Sequence, residues 1–203
     1  LGIPIPKKTL SDYLNKKVQT MQELVTPTLI DNLSIISGAQ DSIGIANLKQ
    51  MQKTKILSNL RQLGADFIIL DLGAGTTFNT LDFFISADQG ILTSLPEPTS
   101  IENTYRFIKS VFHRKLKLAE ELLEIGPLID EIMNSKVSDS IPPAELINKV
   151  IDINPVMGQK LQQEIQKLVP KLIINQVRTQ TDLDIGHSMK IISKKYFGIN
   201  LDY

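Results

Sequence analysis

Cysteine and tryptophan are both absent from the 203 residues. The lack of cysteine excludes disulfides, thiolate zinc sites and cysteine-ligated iron–sulfur clusters, and it suits a reducing compartment. Net charge is absent as well, since 22 lysines and arginines balance 22 aspartates and glutamates. The overall balance therefore gives no mandate for nucleic acid, and any such surface has to be local. No apolar run approaches the roughly 20 residues of a membrane helix. The start Leu1-Gly2-Ile3-Pro4-Ile5-Pro6 has no basic region ahead of an apolar segment, so no signal peptide is read and the chain is expected to be cytoplasmic. There is no internal repeat and no low-complexity tract.

What is present is an ordinary globular composition, 42% hydrophobic and 22% charged. The length suits one sizeable core, so residues 1–203 are expected to form a single domain. Both ends read as cut: Leu1 is not an initiator methionine, and Ile199 to Tyr203 begins an apolar stretch that stops before any turn.

Short apolar runs alternate with helical patterns, which predicts parallel strands joined by crossover helices. Leu33 to Ile36 is a candidate strand, followed by a helix from about Asn47 to Leu63 that Gly64 ends. Phe67-Ile68-Ile69-Leu70 runs without alternation, as expected of a strand covered on both faces. A helix over about Thr80 to Ala87 and a strand over Ile91 to Leu95 follow. The next helix opens on Thr99-Ser100-Ile101-Glu102, a capping-box pattern, with the apolar stripe Ile101, Tyr105, Ile108 and Phe112. From there to Val169 the pattern is helical throughout, with segments near Leu128 to Met133, after Pro142-Pro143 and after Asn154-Pro155. Leu172-Ile173-Ile174 returns to strand, and Asp182 to Phe197 is a helix that stops at Gly198.

The stretch Phe67 to Gly75 carries the chemistry: an apolar run delivers Asp71 and then the turn Gly73-Ala74-Gly75. In open α/β sheets ligands bind at the carboxyl ends of the strands. A carboxylate there can organise Mg²⁺ and its waters, and a glycine turn lets a backbone N–H approach a phosphate oxygen. The alternative is that Asp71 caps the turn and the glycines only satisfy backbone geometry.

The block Asp66 to Gly75, continuing through Ala87-Asp88 to Pro96-Glu97-Pro98-Thr99-Ser100-Ile101, resembles the MinD/ParA superfamily of P-loop ATPases. Within it the chain is most similar to the FlhG/FleN branch of flagellar-number regulators, where an "ILDxGAG" segment precedes a "PEPTSI" loop. Leu1-Gly2-Ile3 with Thr9 to Leu14 resembles the stretch after switch I, and Ile174-Asn175-Gln176-Val177-Arg178 resembles the adenine-side asparagine segment. The resemblance implies a three-layer, doubly wound α/β fold with a mostly parallel sheet, of the SIMIBI type, carrying a helical insertion over about 116–169. It implies ATP and Mg²⁺ as cofactors. Asp71 would hold the magnesium hydration shell and stand as the catalytic carboxylate, Gly73 and the Gly75 N–H would line the γ-phosphate, and Asn175, with Arg178 nearby, would meet the adenine. It further implies an ATP-gated homodimer that ATP hydrolysis releases, acting in flagellar number or placement or in cell-division positioning.

The sequence departs from that pattern: no G-x-x-x-x-G-K-[ST] occurs in it, the family's switch-I aspartates would lie just before Leu1, and the helical segment over about 116–169 is longer than the family's usual crossover. The full-length protein is thus expected to be an ATPase, and this chain alone to bind nucleotide poorly. Glu97 reads either as part of a rigid lead-in to a helix or as a contact to ribose or to the dimer partner. Arg106, Lys109, His113, Arg114, Lys115 and Lys117 form a basic cluster that is either a solvated helix face or a nonspecific DNA surface, and zero net charge favours the former. His113 and His187 show no metal-ligand spacing. The amphipathic insertion, with Leu116, Leu118, Leu122, Leu123, Leu146, Ile147, Val150 and Ile151, either packs on the helices of the sheet or docks a protein partner. Membrane association would come only through a C-terminal segment beyond Tyr203. The rival functions are a ParA-type DNA-partition ATPase and a nonenzymatic interaction module that keeps the fold.

Overall fold

The computed structural model describes residues 3–38, 48–134 and 142–203. Asn47, where the first long helix was expected to begin, and the Leu1-Gly2 part of the resemblance lie outside the described residues. The chain divides into two compact units, Leu1–Gly73 and Ala74–Tyr203.

The first unit begins with α1 (Leu10–Leu14), whose start is fixed by Thr9 and Asp12 capping one another. A single 3₁₀ turn, Met21–Leu24, repeats the device with Thr20 and Glu23. The short strands β1 (Thr26–Pro27) and β2 (Ser34–Ile35) pair antiparallel, Thr26 opposite Ile35. Helix α2 (Gln50–Arg61) follows, and Gly64 leaves it at φ +69°, a conformation glycine adopts at little steric cost. Tyr13, Met21, Leu24, Leu48 and Ile56 make the buried core of this unit.

The run Phe67–Leu70 differs from the expected strand. It is chain without a ladder partner, and Phe67 and Ile69 are 89% and 88% exposed. The physical reason is that a strand is defined by its neighbours: among the described residues no backbone hydrogen bond reaches this run, and the side bearing Phe67 and Ile69 is open, while Ile68 is 39% exposed and Leu70 half-buried.

The second unit contains α3 (Phe78–Ser86), β3 (Ile91–Ser94), α4 (Pro98–Leu123), α5 (Gly126–Asn134), α6 (Pro143–Ile153), α7 (Pro155–Gln166), β4 (Lys171–Ile174) and α8 (Gln180–Phe197). Strands β3 and β4 are parallel, Ile91 opposite Lys171 and Ser94 opposite Ile174. The chain end adds a third line to this sheet through a parallel bridge between Lys171 and Asp202. Along both strands burial alternates: Leu92, Ser94, Leu172 and Ile174 are inside, whereas Ile91 and Ile173 are exposed. Helix α4 packs on β3 and α8 on β4. The class is α/β, with helices around a small parallel sheet, as the alternating pattern predicts.

Helix α4 starts differently from the sequence expectation. Pro98, with its fixed φ, takes the first helical position, so Glu97 is the N-cap and Thr99 falls inside the helix. The Thr99–Glu102 capping box does not form, and Glu102 instead pairs with Arg106 one turn on, 2.6 Å away. The buried stripe of α4 is Thr104, Ile108, Val111, Phe112, Leu116 and Ala119. Ile101 and Tyr105 sit at its margin, half-buried.

The helical segment after α4 packs inside the unit. Helix α7 lies against α4 and α6, and α6 against α8. Leu116, Leu146, Ile147 and Val150 are buried there, while Leu122 remains exposed. Asn154 serves as C-cap of α6 and N-cap of α7, its side chain accepting the Met157 N–H at 3.2 Å, so the corner between the two helices is one residue long. At that corner Gly158 lies so close to α6 that a Cβ on it would meet the Ile151 Cα at 2.4 Å.

Candidate functional site

The carboxyl ends of β3 and β4 open into two loops side by side: Leu95–Glu97, leading into α4, and Asn175–Thr179, leading into α8. Ser94 ends β3 in a fully buried position, where a hydroxyl has to find a partner. It finds the Ser100 hydroxyl in the first turn of α4, Oγ to Oγ 3.1 Å. The same Ser100 Oγ accepts the Leu95 N–H at 2.9 Å. Across the sheet the Asn175 N–H donates to the Ser94 carbonyl at 2.8 Å.

Asn175 is exposed, and its Oδ1 accepts the Gln176 N–H at 2.9 Å. That bond supports Gln176 at φ +57°, a left-handed conformation that costs energy in a residue with a Cβ. Arg178 presents an exposed side chain, while its N–H donates to Asp182 at 2.8 Å. Asp182 and Thr179 cap one another at the start of α8. The amides of Arg178 and Thr179 hold the Asp182 carboxyl below the usual carboxylate range, because they stabilise its charged form. Glu97 is exposed at the head of α4 with no side-chain cap bond.

In the first unit Asp71 is exposed at the end of the Phe67–Leu70 run, with Gly73 closing the unit. Among the described residues Asp71 makes no hydrogen bond or ion pair, so it does not cap the following turn. Gly75, the second residue of the second unit, lies at φ +123°, where a side chain would be strained, with open space where its Cβ would be. Helix α3 then begins at Thr77, whose hydroxyl accepts the Thr80 N–H. Among the described residues no cluster of three or more acidic, histidine or cysteine side chains could hold a metal ion by itself.

The basic cluster of α4 is largely engaged within the chain. Arg106 pairs with Glu102, Lys115 with Glu164 and Lys117 with Glu120. Arg114 forms a two-pronged bridge to the buried Asp82 of α3, at 2.5 and 3.0 Å, and its guanidinium lies 5.3 Å from the Phe78 ring centre. Four of the five lysines and arginines in the cluster thus have acidic partners, which weakens the potential they would offer a phosphate backbone. Burial, with a smaller push from Lys109, holds His113 below its ordinary pKa of 6.5. His187 stacks edge-on against Tyr203.

The Asp82–Arg114 bridge and the Ser94–Ser100 pair were missed by sequence reasoning. A signal for the first was available, since Asp82 sits between Leu81 and Phe84 on the core side of α3 and a carboxylate there needs a cation. No helix among the described residues is long and apolar enough to cross a membrane.

No protein-family model matches the chain. It is 21% identical over 197 residues to the septum site-determining protein MinD of Helicobacter pylori (strain ATCC 700392 / 26695), an alignment covering 95% of this chain and 70% of that protein. The likeness supports a MinD-like relation that runs through both compact units rather than resting on one motif.

Proposed function

We propose that this chain is part of a MinD-like ATPase, converting ATP and water to ADP and phosphate in the full-length protein. The reading is carried by one conjunction: the likeness to MinD spans 95% of the chain, and the segment that would carry the chemistry offers Asp71 as an exposed carboxylate that has no partner among the described residues, followed by a glycine turn. Bound Mg²⁺ would polarise the phosphates and neutralise developing charge. Asp71 fits the magnesium hydration shell, as an exposed anion free of competing bonds among the described residues. Gly75 fits a close approach of backbone to the γ-phosphate, since it has no side chain and a φ that only glycine adopts without strain. Asn175 fits the adenine, being exposed on a loop held by Ser94, with Arg178 beside it.

Both units belong, in this reading, to one domain of the three-layer, doubly wound type, with 116–169 as its helical insertion. In this reading the protein is cytoplasmic and a homodimer when ATP is bound, and its role is that of an FlhG-like regulator of flagellar number or placement or of a positioner of cell division. Of the alternatives, the engaged state of the α4 cations favours these over a ParA-type DNA-partition ATPase.

Because no G-x-x-x-x-G-K-[ST] occurs in the 203 residues, the test uses the full-length protein. It is expected to hydrolyse Mg-ATP, and Asp71→Asn to lower the rate by at least about a hundredfold while leaving the melting temperature in place. A full-length protein that neither binds nor turns over ATP would refute the enzyme and favour the nonenzymatic module.

A further inference from the structure

The peptide that joins Ser94 to Leu95 is held at both ends. Its carbonyl accepts the Asn175 N–H at 2.8 Å, and its N–H donates to the Ser100 hydroxyl at 2.9 Å. A peptide unit is planar, so fixing its N–H fixes the direction of its carbonyl. That carbonyl is what anchors the loop bearing Asn175. The Ser100 hydroxyl is itself located by the buried Ser94 hydroxyl, 3.1 Å away, and by the first turn of a 26-residue helix. Asn175 then spends its Oδ1 on the Gln176 N–H, holding Gln176 in a left-handed conformation that leaves the loop little freedom.

We propose that Ser100 is a positioning residue for base recognition: through the Ser94–Leu95 peptide it sets the place and orientation of Asn175, and so the preference of the site for adenine over guanine. The proposal rests on the ATPase reading above and deepens it. Ser100 touches no nucleotide in this scheme. It acts by removing the freedom of a loop that would otherwise have to be ordered when the base binds, a cost that preorganisation avoids. Losing the hydroxyl leaves the Leu95 N–H without its partner in a half-buried place and frees the peptide to rotate.

The test is a titration of the full-length protein with Mg-ATP and, separately, Mg-GTP, for the wild type, Ser100→Ala, Ser100→Thr and Ser100→Cys. Ser100→Ala is expected to weaken ATP binding about fivefold, the size of one lost hydrogen bond, and to leave GTP binding almost unchanged, so that base preference falls by a similar factor. Ser100→Thr, which keeps the hydroxyl, is expected to restore both. Ser100→Cys keeps the volume with a poor acceptor and is expected to follow alanine, so a folding defect in one variant does not hide the result. Unchanged ATP affinity in the alanine and cysteine variants, or an equal loss for ATP and GTP, would overturn the positioning role while leaving the ATPase reading intact. A wild-type protein that binds neither nucleotide would overturn both.

Discussion

Gly158→Ala sets two physical effects against each other with opposite signs. On helix propensity alone the change is favourable by about 1 kcal/mol, because glycine inside a helix loses the most backbone freedom. Packing opposes it. A Cβ at position 158 would lie 2.4 Å from the Ile151 Cα, 2.5 Å from its N and 2.6 Å from its Cγ1, against about 3.5–4.0 Å for an ordinary carbon contact. Two of these three atoms are backbone of α6, so no side-chain rotation relieves the clash. Helix α6 has to retreat by about 1 Å, yet it is tied to α7 by the single residue Asn154, whose carbonyl already accepts the Gly158 N–H at 2.8 Å. Retreat also opens the core around Val150 and Leu161, both completely buried. Overpacking of this kind costs at the upper end of its usual range, about 3 kcal/mol. The net is a loss of about 2 kcal/mol, or a fall of about 4–8 °C in melting temperature for a chain of this size. Thermal unfolding followed by circular dichroism measures it. An unchanged or raised melting temperature would refute the close approach of α6 and α7, since propensity would then have won.

Removing one partner of the Asp82–Arg114 bridge strands a charge in a largely buried place, so Asp82→Ala is expected to destabilise by about 3 kcal/mol or more, and a double-mutant cycle with Arg114→Met to show strong coupling; additive effects would show that the bridge does not act as a unit. His113 has a folded pKa below its ordinary 6.5, so the unfolded chain takes up the proton first: stability is full above pH 6.5 and declines as pH falls below it. Between pH 7.5 and 5.5 the melting temperature is expected to drop less in His113→Gln than in the wild type, and equal drops would rule out this role for His113. In the full-length protein Gly75→Ala is expected to cut ATP turnover at least tenfold, roughly what a displaced phosphate contact costs, and wild-type turnover in that variant would remove Gly75 from the phosphate site. Phe67→Ser in the 203-residue chain is expected to change stability by less than about 0.5 kcal/mol, as for other exposed positions; a larger loss on chemical denaturation would mean that Phe67 is covered.

The parts of the fold that could be read from the sequence are those whose cause is local. Gly64 and Gly198 end their helices in left-handed conformations as a terminal glycine should. The proline-led helices begin where Pro143 and Pro155 place them, and the strands at Leu92 and Leu172 appear within a residue of their expected bounds. The misreadings share a different origin. Thr99-Ser100-Ile101-Glu102 contains a complete capping box, but Pro98 claims the first helical position and moves the cap to Glu97, so a pattern correct in itself lies two residues too late. Ser100, placed by that shift as the third residue of the helix, turns its hydroxyl back to Leu95, and the sequence offered no sign of it because the partner is a backbone amide rather than a residue type.

Phe67–Leu70 shows the same limit at a larger scale. Four apolar residues in a row state what environment a strand requires, namely cover on both faces and a neighbour along each edge. They do not state that it is supplied. Cover and pairing are properties of other segments: among the described residues no strand pairs with the run, and Phe67 at 89% and Ile69 at 88% exposure leave one of its sides open. Asp71 inherits this condition. Its value as a site residue depends on being held at the carboxyl end of a paired strand, since a carboxylate on an unpaired segment bears the same charge but loses the fixed position that binding a hydrated cation at low entropic cost demands. For Asn175 the position is already set, by the Ser94 carbonyl on one side and the Gln176 amide on the other. The base side of the proposed site is therefore preorganised, whereas on the proposed metal side Asp71 follows a run that has no partner strand among the described residues.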